Sequence, residues 1–260
     1  MASAEQVALI TGGSEPTAQA VARELIRRDW TVVITASNGQ ELESAAGELR
    51  RFAEAAEQVA HFPADLAASG DREALVEFVL EEFQRIDLAV SIPTGPEVNE
   101  NLLEMNEQAC GQVMRAYLIG PLFLMQLVAN EMVRLTESGA VEAGKIVLVN
   151  SIGAYTSATE RAARCLAGAA TSMLTRLLAD SLGEHGINVY EIRVGLISTG
   201  GTDEIRARYD RLIEEGLTPI RRWGRPQDIG LAVAAVAEDL LPYSTGEVIN
   251  VDGGFHLKRL

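Results

Sequence analysis

The feature that most constrains the fold is a regular alternation of short β-branched runs with longer amphipathic segments. The first run, Val7 to Thr11, precedes a segment at 16–29 whose apolar residues recur at helical spacing. Strands are predicted at 7–11, 31–35, 59–62, 88–90, 145–149, 188–193 and 246–251. Because strands that alternate with helices pair in parallel through right-handed crossovers, we expect an α/β, Rossmann-like, doubly wound seven-stranded parallel sheet flanked by helices.

The helices predicted between these strands fit a single domain spanning 1–260. They are expected at 16–29, 40–56, 70–85, 102–136 with a break near Gly120 and Pro121, and 159–185. The segment 197–225, with its glycines, prolines and one internal helix, reads as a substrate-loop insertion. This segment comes after the predicted sixth strand, so we expect it to lie near the carboxyl edge of the sheet, where ligands bind in folds of this kind.

Composition excludes several function classes. The net charge of −15 argues against binding to nucleic acid or anionic lipid, which are polyanions. No run approaches the roughly 18 uninterrupted apolar residues of a membrane span, and no secretory signal pattern opens the sequence. Two cysteines form no disulfide framework, and three histidines have no metal-ligand spacing. We therefore expect a cytoplasmic protein with no metal, nucleic-acid or membrane partner.

Several landmarks stand in an order that points to a family. Thr11 to Ser14 end the first strand, Asp65 follows the third, Asn150 and Ser151 end the fifth, and the chain closes on Asn250 to Gly254. In this order and spacing the chain resembles the short-chain dehydrogenases/reductases, and among them the 3-ketoacyl-reductase-like branch, over essentially its whole length. The resemblance implies a dinucleotide site, a Ser-Tyr-Lys-Asn catalytic set and assembly as a dimer or tetramer.

The glycine-rich turn departs from the family pattern T-G-x-x-x-G-x-G. Gly12 and Ser14 remain in the turn, but Pro16 and Ala18 replace the second and third glycines. Pro16 removes an N–H donor, and Glu15 brings a negative charge towards the pyrophosphate position. A proline at the first helical position and an acid at the helix start also suit a helix by themselves. We expect impaired dinucleotide binding, with the helix start preserved.

Two further cofactor positions are altered. Residues 36–38 provide neither the acid that reads ribose hydroxyls nor the arginine that accepts a 2′-phosphate. Asp65 matches the family residue that contacts adenine, and a cap for the following helix is an equal alternative. The family's N-N-A-G after the fourth strand is Ser91 to Thr94, so both asparagines are absent. Gly12, Ser14 and Asp65 remain as candidate cofactor-binding residues of a degenerate site.

The catalytic set is also changed. Ser151 matches the family serine, Arg164 stands at the tyrosine position, Gly168 at the lysine position and Tyr117 at the asparagine position. Arginine, with a pKa above about 12, does not donate a proton near neutrality. A positioned general acid contributes about 10²–10⁴ in rate, so the loss is large. Tyr155 is expected not to reach the site, which leaves Tyr117 as the alternative acid.

These observations predict a catalytically inactive subunit of a hetero-oligomeric NAD(P)-dependent hydroxyacyl or ketoacyl dehydrogenase. The chain itself is expected to hold no cofactor tightly, with NAD(P) bound by a homologous active subunit. The inactive subunit of 2-(hydroxy(phenyl)methyl)succinyl-CoA dehydrogenase is a precedent that the resemblance offers. A repurposed enzyme, non-redox or using Tyr117 as its acid, and a ligand-binding homo-oligomer are the alternatives. Apolar residues expected at subunit contacts are Leu118, Leu122, Leu166, Met173 and Leu177. The alternative, expected to hold for some of the five, is that they pack only on the sheet of their own subunit.

Overall fold

The computed structural model describes residues 6–96, 98, 100–200 and 203–258. Its centre is a seven-stranded parallel sheet in the order β3-β2-β1-β4-β5-β6-β7. The strands are β1 Val7–Thr11, β2 Thr31–Ala36, β3 Val59–Pro63, β4 Leu88–Ser91, β5 Lys145–Ser151, β6 Asn188–Val194 and β7 Glu247–Val251. The predicted fold class and all seven strands are confirmed.

Helices cover both faces of this sheet. They are α1 Pro16–Ile26, α2 Gly39–Leu49, α3 Ser69–Phe83, α4 Glu107–Met114, α5 Gly120–Glu137, α6 Ala162–Leu182, α7 Asp203–Glu214 and α8 Pro226–Ala237. In β1, Ala8 and Ile10 pack towards α1, α2 and α8, while Val7 and Leu9 pack towards α3, α5 and α6. A strand buried on both faces must be apolar throughout, which explains its unbroken run.

Helix boundaries differ from the predicted ones for local reasons. The long helix begins at Glu107 and not at 102, because the Asn106 side chain caps it by accepting the amides of Gln108 and Ala109. The predicted break near 120 is a π-helical turn, Arg115–Ile119, that joins α4 to α5. α8 was not predicted. Its signal was Pro226 at the first helical position, preceded by an Arg225 amide that donates to Asp228.

The helical stretch 107–137 is, by length and composition, apolar enough to cross a membrane. Within its most apolar window, 44% of the residues are buried inside the protein. Leu124, Met125 and Val128 of α5 belong to the core beneath the sheet. This burial is typical of a core helix that packs on a sheet.

The order of the strands places a crevice above the sheet. Chain connections run in opposite directions from β1 and from β4, so the helices that follow them diverge at the carboxyl ends of these two strands. Ligands of doubly wound folds bind at such a switch point. The segment 197–225, which contains α7, lies beyond β6 at the same edge, and its Gly201 and Thr202 lie outside the described residues.

Candidate active site

The turn after β1 keeps the backbone geometry of a phosphate-binding turn. Gly12 has a φ of +69°, and a Cβ there would lie 2.7 Å from the carbonyl oxygen of Ile92. The Glu15 amide donates to the Gly12 carbonyl at 2.8 Å, and α1 begins at Pro16. Glu15 is exposed and its carboxylate makes no cap hydrogen bond. The turn therefore presents one amide fewer than usual, beside the exposed carboxylate of Glu15.

A cavity of about 420 Å³ opens beside this turn, over the ends of β1, β2, β3 and β4. Asp65 lines it but also has a structural role, because its Oδ1 accepts the Ala67 amide at 2.9 Å. Ser37, at the ribose position, lines the cavity as well, and Asp65 is the only acid among the described residues that line it. The lining residues are Gly12, Thr35, Ala36, Ser37, Ala64, Asp65, Leu66, Ala67, Ile92, Pro93, Thr94, Pro96, Gln112, Arg115 and Ala116.

The residues of this crevice fit only part of a dinucleotide. The cavity has the space and the mixed lining that an adenosine group needs. At the phosphate position, however, Pro16 offers no donor and the exposed Glu15 carboxylate repels an anion. Ser14, the third candidate, lies in the turn with its carbonyl accepting the Gln19 side chain at 3.1 Å. The residues at the phosphate position therefore do not match a tightly bound pyrophosphate.

The four positions of the catalytic set line one small cavity of about 130 Å³, next to the first. Ser151, at the end of β5, uses its Oγ to accept the Gly153 amide at 3.2 Å. Arg164, in the first turn of α6, places its guanidinium carbon 3.6 Å from the centroid of the Tyr117 ring. This distance is that of direct stacking, a strong cation–π geometry. A guanidinium therefore occupies the place where the family has an acid.

Tyr117 is oriented by the π-helical turn and is buried, with 7% exposure. Its hydroxyl donates to the carbonyl of Gly95 at 2.8 Å. The Gly95 backbone packs against the same ring, since a Cβ on Gly95 would lie 3.0 Å from Tyr117 Cε2. The phenol proton is thus engaged by a backbone carbonyl, and the ring face is covered by Arg164. This arrangement holds Tyr117 as a packing element of the cavity wall.

Gly168 is packed closely at the lysine position. A Cβ there would lie 3.1 Å from Asn150 Oδ1 and 3.3 Å from both the Cα and the amide nitrogen of Ala154. Asn150 Nδ2 in turn donates to the Gly168 carbonyl at 2.8 Å. The helix at residue 168 therefore lies directly against the loop after β5, and a longer side chain needs that loop to move.

A buried ion pair that sequence reasoning missed lies beside Gly168. Glu191 is fully buried, and its Oε1 accepts Arg193 Nε at 2.9 Å, Ser172 Oγ at 2.9 Å and Asn150 Nδ2 at 3.0 Å. Arg193 also donates to Ser172 at 3.0 Å. The signal in the sequence was two charged residues spaced two apart on β6, which places them on one face of an otherwise apolar strand.

Tyr155 points away from the catalytic cavity. Its hydroxyl donates to Asp252 Oδ2 at 3.5 Å, and Arg193 lies over its ring at 5.0 Å from the centroid. Burial and the negative charge of Asp252 raise the pKa of Tyr155 to about 12. This placement agrees with the expectation that Tyr155 does not reach Ser151.

A third cavity, of about 340 Å³, adjoins the catalytic one and shares Ser151 and Arg164 with it. It lies between the N-terminal turn of α6, the loop after β5 and the segment after β6. Among the described residues, no group of three or more His, Cys, Asp or Glu side chains is arranged to hold a metal ion.

The chain is similar to known reductases and dehydrogenases over nearly its whole length. A family model described as enoyl-(acyl carrier protein) reductase matches residues 16–256. The 2-dehydro-3-deoxy-D-gluconate 5-dehydrogenase of Dickeya dadantii is 28% identical over 251 residues, which cover 96% of this chain and 95% of that protein. The 3-oxoacyl-(acyl-carrier-protein) reductase of Staphylococcus aureus is 27% identical over 253 residues, 96% of this chain and 98% of the relative.

Solved structures are similar over the full length. The 3-oxoacyl-(acyl-carrier protein) reductase from Brucella melitensis in complex with NAD has a TM-score of 0.90 and 33% identity, covering 98% of this chain and 99% of that one. Another structure of a 3-oxoacyl-(acyl-carrier protein) reductase from Brucella melitensis has a TM-score of 0.88 and 32% identity, with the same coverage.

Proposed function

Because this chain belongs to the short-chain dehydrogenase/reductase superfamily and its ketoacyl-reductase-like group, we propose that it is a catalytically impaired member. We propose further that it serves as the structural subunit of a hetero-oligomeric NAD(P)-dependent hydroxyacyl or ketoacyl dehydrogenase. The observation that carries this proposal is the stack of Arg164 on Tyr117 at 3.6 Å, at the position where the reaction needs a proton donor. The relatives named above are dehydrogenases and reductases, so the active partner is expected to be one as well.

The state of the other catalytic positions supports the same proposal. Gly168 has no side chain to lower the pKa of an acid, and its surroundings leave no open space for one. The Tyr117 hydroxyl, the alternative acid, donates to the Gly95 carbonyl and not into the cavity. Ser151 alone has no base beside it among the described residues that line the cavity. The remaining groups bind and orient, but they do not move a proton.

Exposed apolar side chains on α6 support assembly with a second subunit. Leu166, Met173 and Leu177 are 53%, 50% and 57% exposed and recur at helical spacing on one face. Leu118 and Leu122 were expected to join them, but they are half-buried and pack within their own subunit. On the neighbouring helical stretch Ile119 and Phe123 are exposed instead. An apolar surface of this kind marks a protein contact, and a dimer or tetramer would cover it.

The test combines cofactor titration, turnover and native co-purification. The purified chain is expected to bind NADH and NADPH with dissociation constants weaker than micromolar, and to leave NADPH unoxidised with acetoacetyl-CoA. The tagged chain, recovered from its native host, is expected to bring with it a homologous subunit whose complex does oxidise NADPH. Turnover by the isolated chain at an ordinary rate, on the order of 10 s⁻¹, would overturn the assignment. A stable monomer that recovers no dehydrogenase would remove the subunit role.

A further inference from the structure

The third cavity carries positive charge and hydroxyl groups that the proposed loss of catalysis does not require. Its volume of about 340 Å³ lies at the lower end of small-molecule sites. Two arginines and several hydroxyls share the wall with apolar side chains. The lining residues are Val98, Ser151, Ile152, Gly153, Thr156, Ser157, Ala158, Arg161, Arg164, Cys165, Gly195, Leu196, Tyr209 and Phe255. No acidic residue is among these described lining residues.

The two arginines lack carboxylate partners. Arg161 and Arg164 form no ion pair with any acid in the part of the chain that the structure describes, although the chain carries 37 acidic residues against 22 basic ones. By contrast, Arg85, Arg193 and Arg222 each pair with a carboxylate at 2.7–2.9 Å. Unpaired cations that line one cavity of an acidic protein create a local site for an anion.

Arg164 is held in an orientation that leaves its edge available. Its flat face lies on the Tyr117 ring, and it donates no hydrogen bond to another of the described residues. A stacked guanidinium is fixed in plane, and its edge presents parallel N–H donors that match the two oxygens of a carboxylate. Ser151 adds a hydroxyl whose oxygen accepts the Gly153 amide, so its proton remains available for a ligand. The α6 N-terminus at this wall has no side-chain cap and no acid in its first turn.

The rest of the wall selects the body of the ligand. Ile152, Leu196 and Phe255 contribute apolar surface to the same cavity. The Thr156 hydroxyl is already donated to the Ile152 carbonyl at 2.8 Å. The hydroxyls of Ser151, Ser157 and Tyr209 also line the cavity, and Arg161 and Arg164 are its charged groups. A ligand with one anionic end and a short apolar body fits this distribution, whereas a large polyanion does not fit the volume.

We infer that this cavity binds a small carboxylic acid, with its carboxylate on the guanidinium groups of Arg164 and Arg161 and its apolar body against Leu196 and Phe255. The replacement at residue 164 thus converts a proton donor into an anion receptor, and the ligand is bound without being turned over. This inference goes beyond the proposed function because it concerns what the chain binds by itself, whichever subunit it assembles with.

Ligand binding is tested on the full-length chain without any nicotinamide cofactor. Hexanoate and benzoate are the probes, 1-hexanol and benzyl alcohol are their neutral counterparts, and inorganic phosphate is the anion without an apolar body. Calorimetry gives the affinity, and thermal unfolding gives the stabilisation that binding produces. We expect saturable binding of at least one carboxylate probe, at least tenfold tighter than that of its alcohol, and weaker binding of phosphate.

Four variants separate the guanidinium contact from a general charge effect. Arg164→Gln is expected to weaken the carboxylate by about tenfold to a hundredfold, because a charge-assisted bond is lost. Arg164→Lys keeps the charge but not the planar fork, so an intermediate loss is expected. Arg161→Gln, at an exposed position, tests the second cation without disturbing the stack on Tyr117. Arg176→Gln, exposed elsewhere on α6, is the matched control and should bind as the wild type does.

The outcomes decide the inference separately from the proposed function. Equal binding of acids and alcohols, tighter binding of phosphate than of both acids, or no binding at all would overturn it. So would unchanged affinity in both Arg164→Gln and Arg161→Gln. If Arg164→Gln fails to fold, Arg161→Gln and the alcohol comparison still decide the matter. None of these results depends on NADPH turnover or on a partner, which test the proposed function.

Discussion

Restoring the missing catalytic residues is expected not to restore catalysis. The double substitution Arg164→Tyr with Gly168→Lys returns the family's residue types to both positions. A positioned acid contributes about 10²–10⁴ in rate, so turnover would rise by that factor if the two substitutions were enough to restore catalysis. We expect a gain below about tenfold, because Pro16 still lacks an amide at the phosphate turn and Glu15 still repels the pyrophosphate.

The same substitution has a stability cost that the structure allows us to estimate. A Cβ on residue 168 would lie 3.1 Å from Asn150 Oδ1 and 3.3 Å from the Ala154 backbone, and overpacking of this kind costs about 1–3 kcal/mol. Loss of the Arg164 stack on Tyr117 adds about 0.5–2 kcal/mol. At roughly 2–4 °C per kcal/mol for a chain of this size, Tm should fall by about 3–20 °C.

Two assays follow both effects on the same sample. NADPH absorbance with acetoacetyl-CoA measures turnover, and circular dichroism measures Tm. Arg164→Tyr alone is the control, since it leaves Gly168 against Asn150 and should lose only the smaller, stacking part of the stability. A gain of about 10² or more with an unchanged Tm would refute the reasoning, because it would show that both the phosphate turn and the space at residue 168 are adequate.

Three further predictions concern stability, titration and assembly. Glu191→Ala should lower the free energy of unfolding, measured by chemical denaturation, by about 3–5 kcal/mol, because the largely buried Arg193 would lose its carboxylate partner. The double variant Glu191→Leu with Arg193→Met should recover most of this loss, and a loss below about 1 kcal/mol in the single variant would contradict the prediction. Burial and Asp252 raise the pKa of Tyr155 from 10.0 to about 12, so the neutral phenol favours the folded state below pH 10 and this contribution is lost as the pH rises from about 10 to 12. The free energy of unfolding, followed by ultraviolet absorbance across this pH range, should fall in the wild type and should lack this dependence in Tyr155→Phe. Met173→Glu with Leu177→Glu should reduce the assembly to smaller species by light scattering, whereas Arg176→Gln should not, and an unchanged mass would show that this face of α6 is not a contact.

The fold was predictable because it depends on a pattern repeated along the whole chain. A parallel sheet covered on both faces requires unbroken apolar strands, such as Val7 to Thr11, separated by helices, and few other folds satisfy that alternation. Helix ends were less predictable because one side chain decides them. α4 starts at Glu107, five residues later than periodicity indicates, because Asn106 caps it while the Asn101 side chain accepts the Leu103 amide in a separate turn before it.

The candidate site was predictable in its positions but not in its contacts. Spacing from Ser151 locates residues 164 and 168, and the structure brings both to the same cavity as Tyr117. No pattern in the sequence indicates that Arg164 stacks on Tyr117, because that contact joins two helices through a π-helical turn whose register depends on tertiary packing. The pair of charges on β6 was visible as a spacing of two, but only burial shows its importance.

The replaced positions fit one another, and this is the strongest physical argument that the chain retains a selected role. Arg164 covers the ring of Tyr117, whose hydroxyl is satisfied by Gly95. The helix at Gly168 approaches Asn150 closely enough to be bonded by it. Glu191 Oε1 accepts hydrogen bonds from Asn150, Ser172 and Arg193, and so holds the Asn150 side chain in place. Glu191 Oε2 is buried without a hydrogen-bond partner, but the Oε1 atom, Asn150 and Ser172 are all bonded to one another. A buried network of this kind is costly to assemble by unconstrained substitution, since half-formed stages leave further polar groups unsatisfied. This mutual packing is what the proposed anion-binding role of the site requires, because a receptor must hold its shape before the ligand arrives.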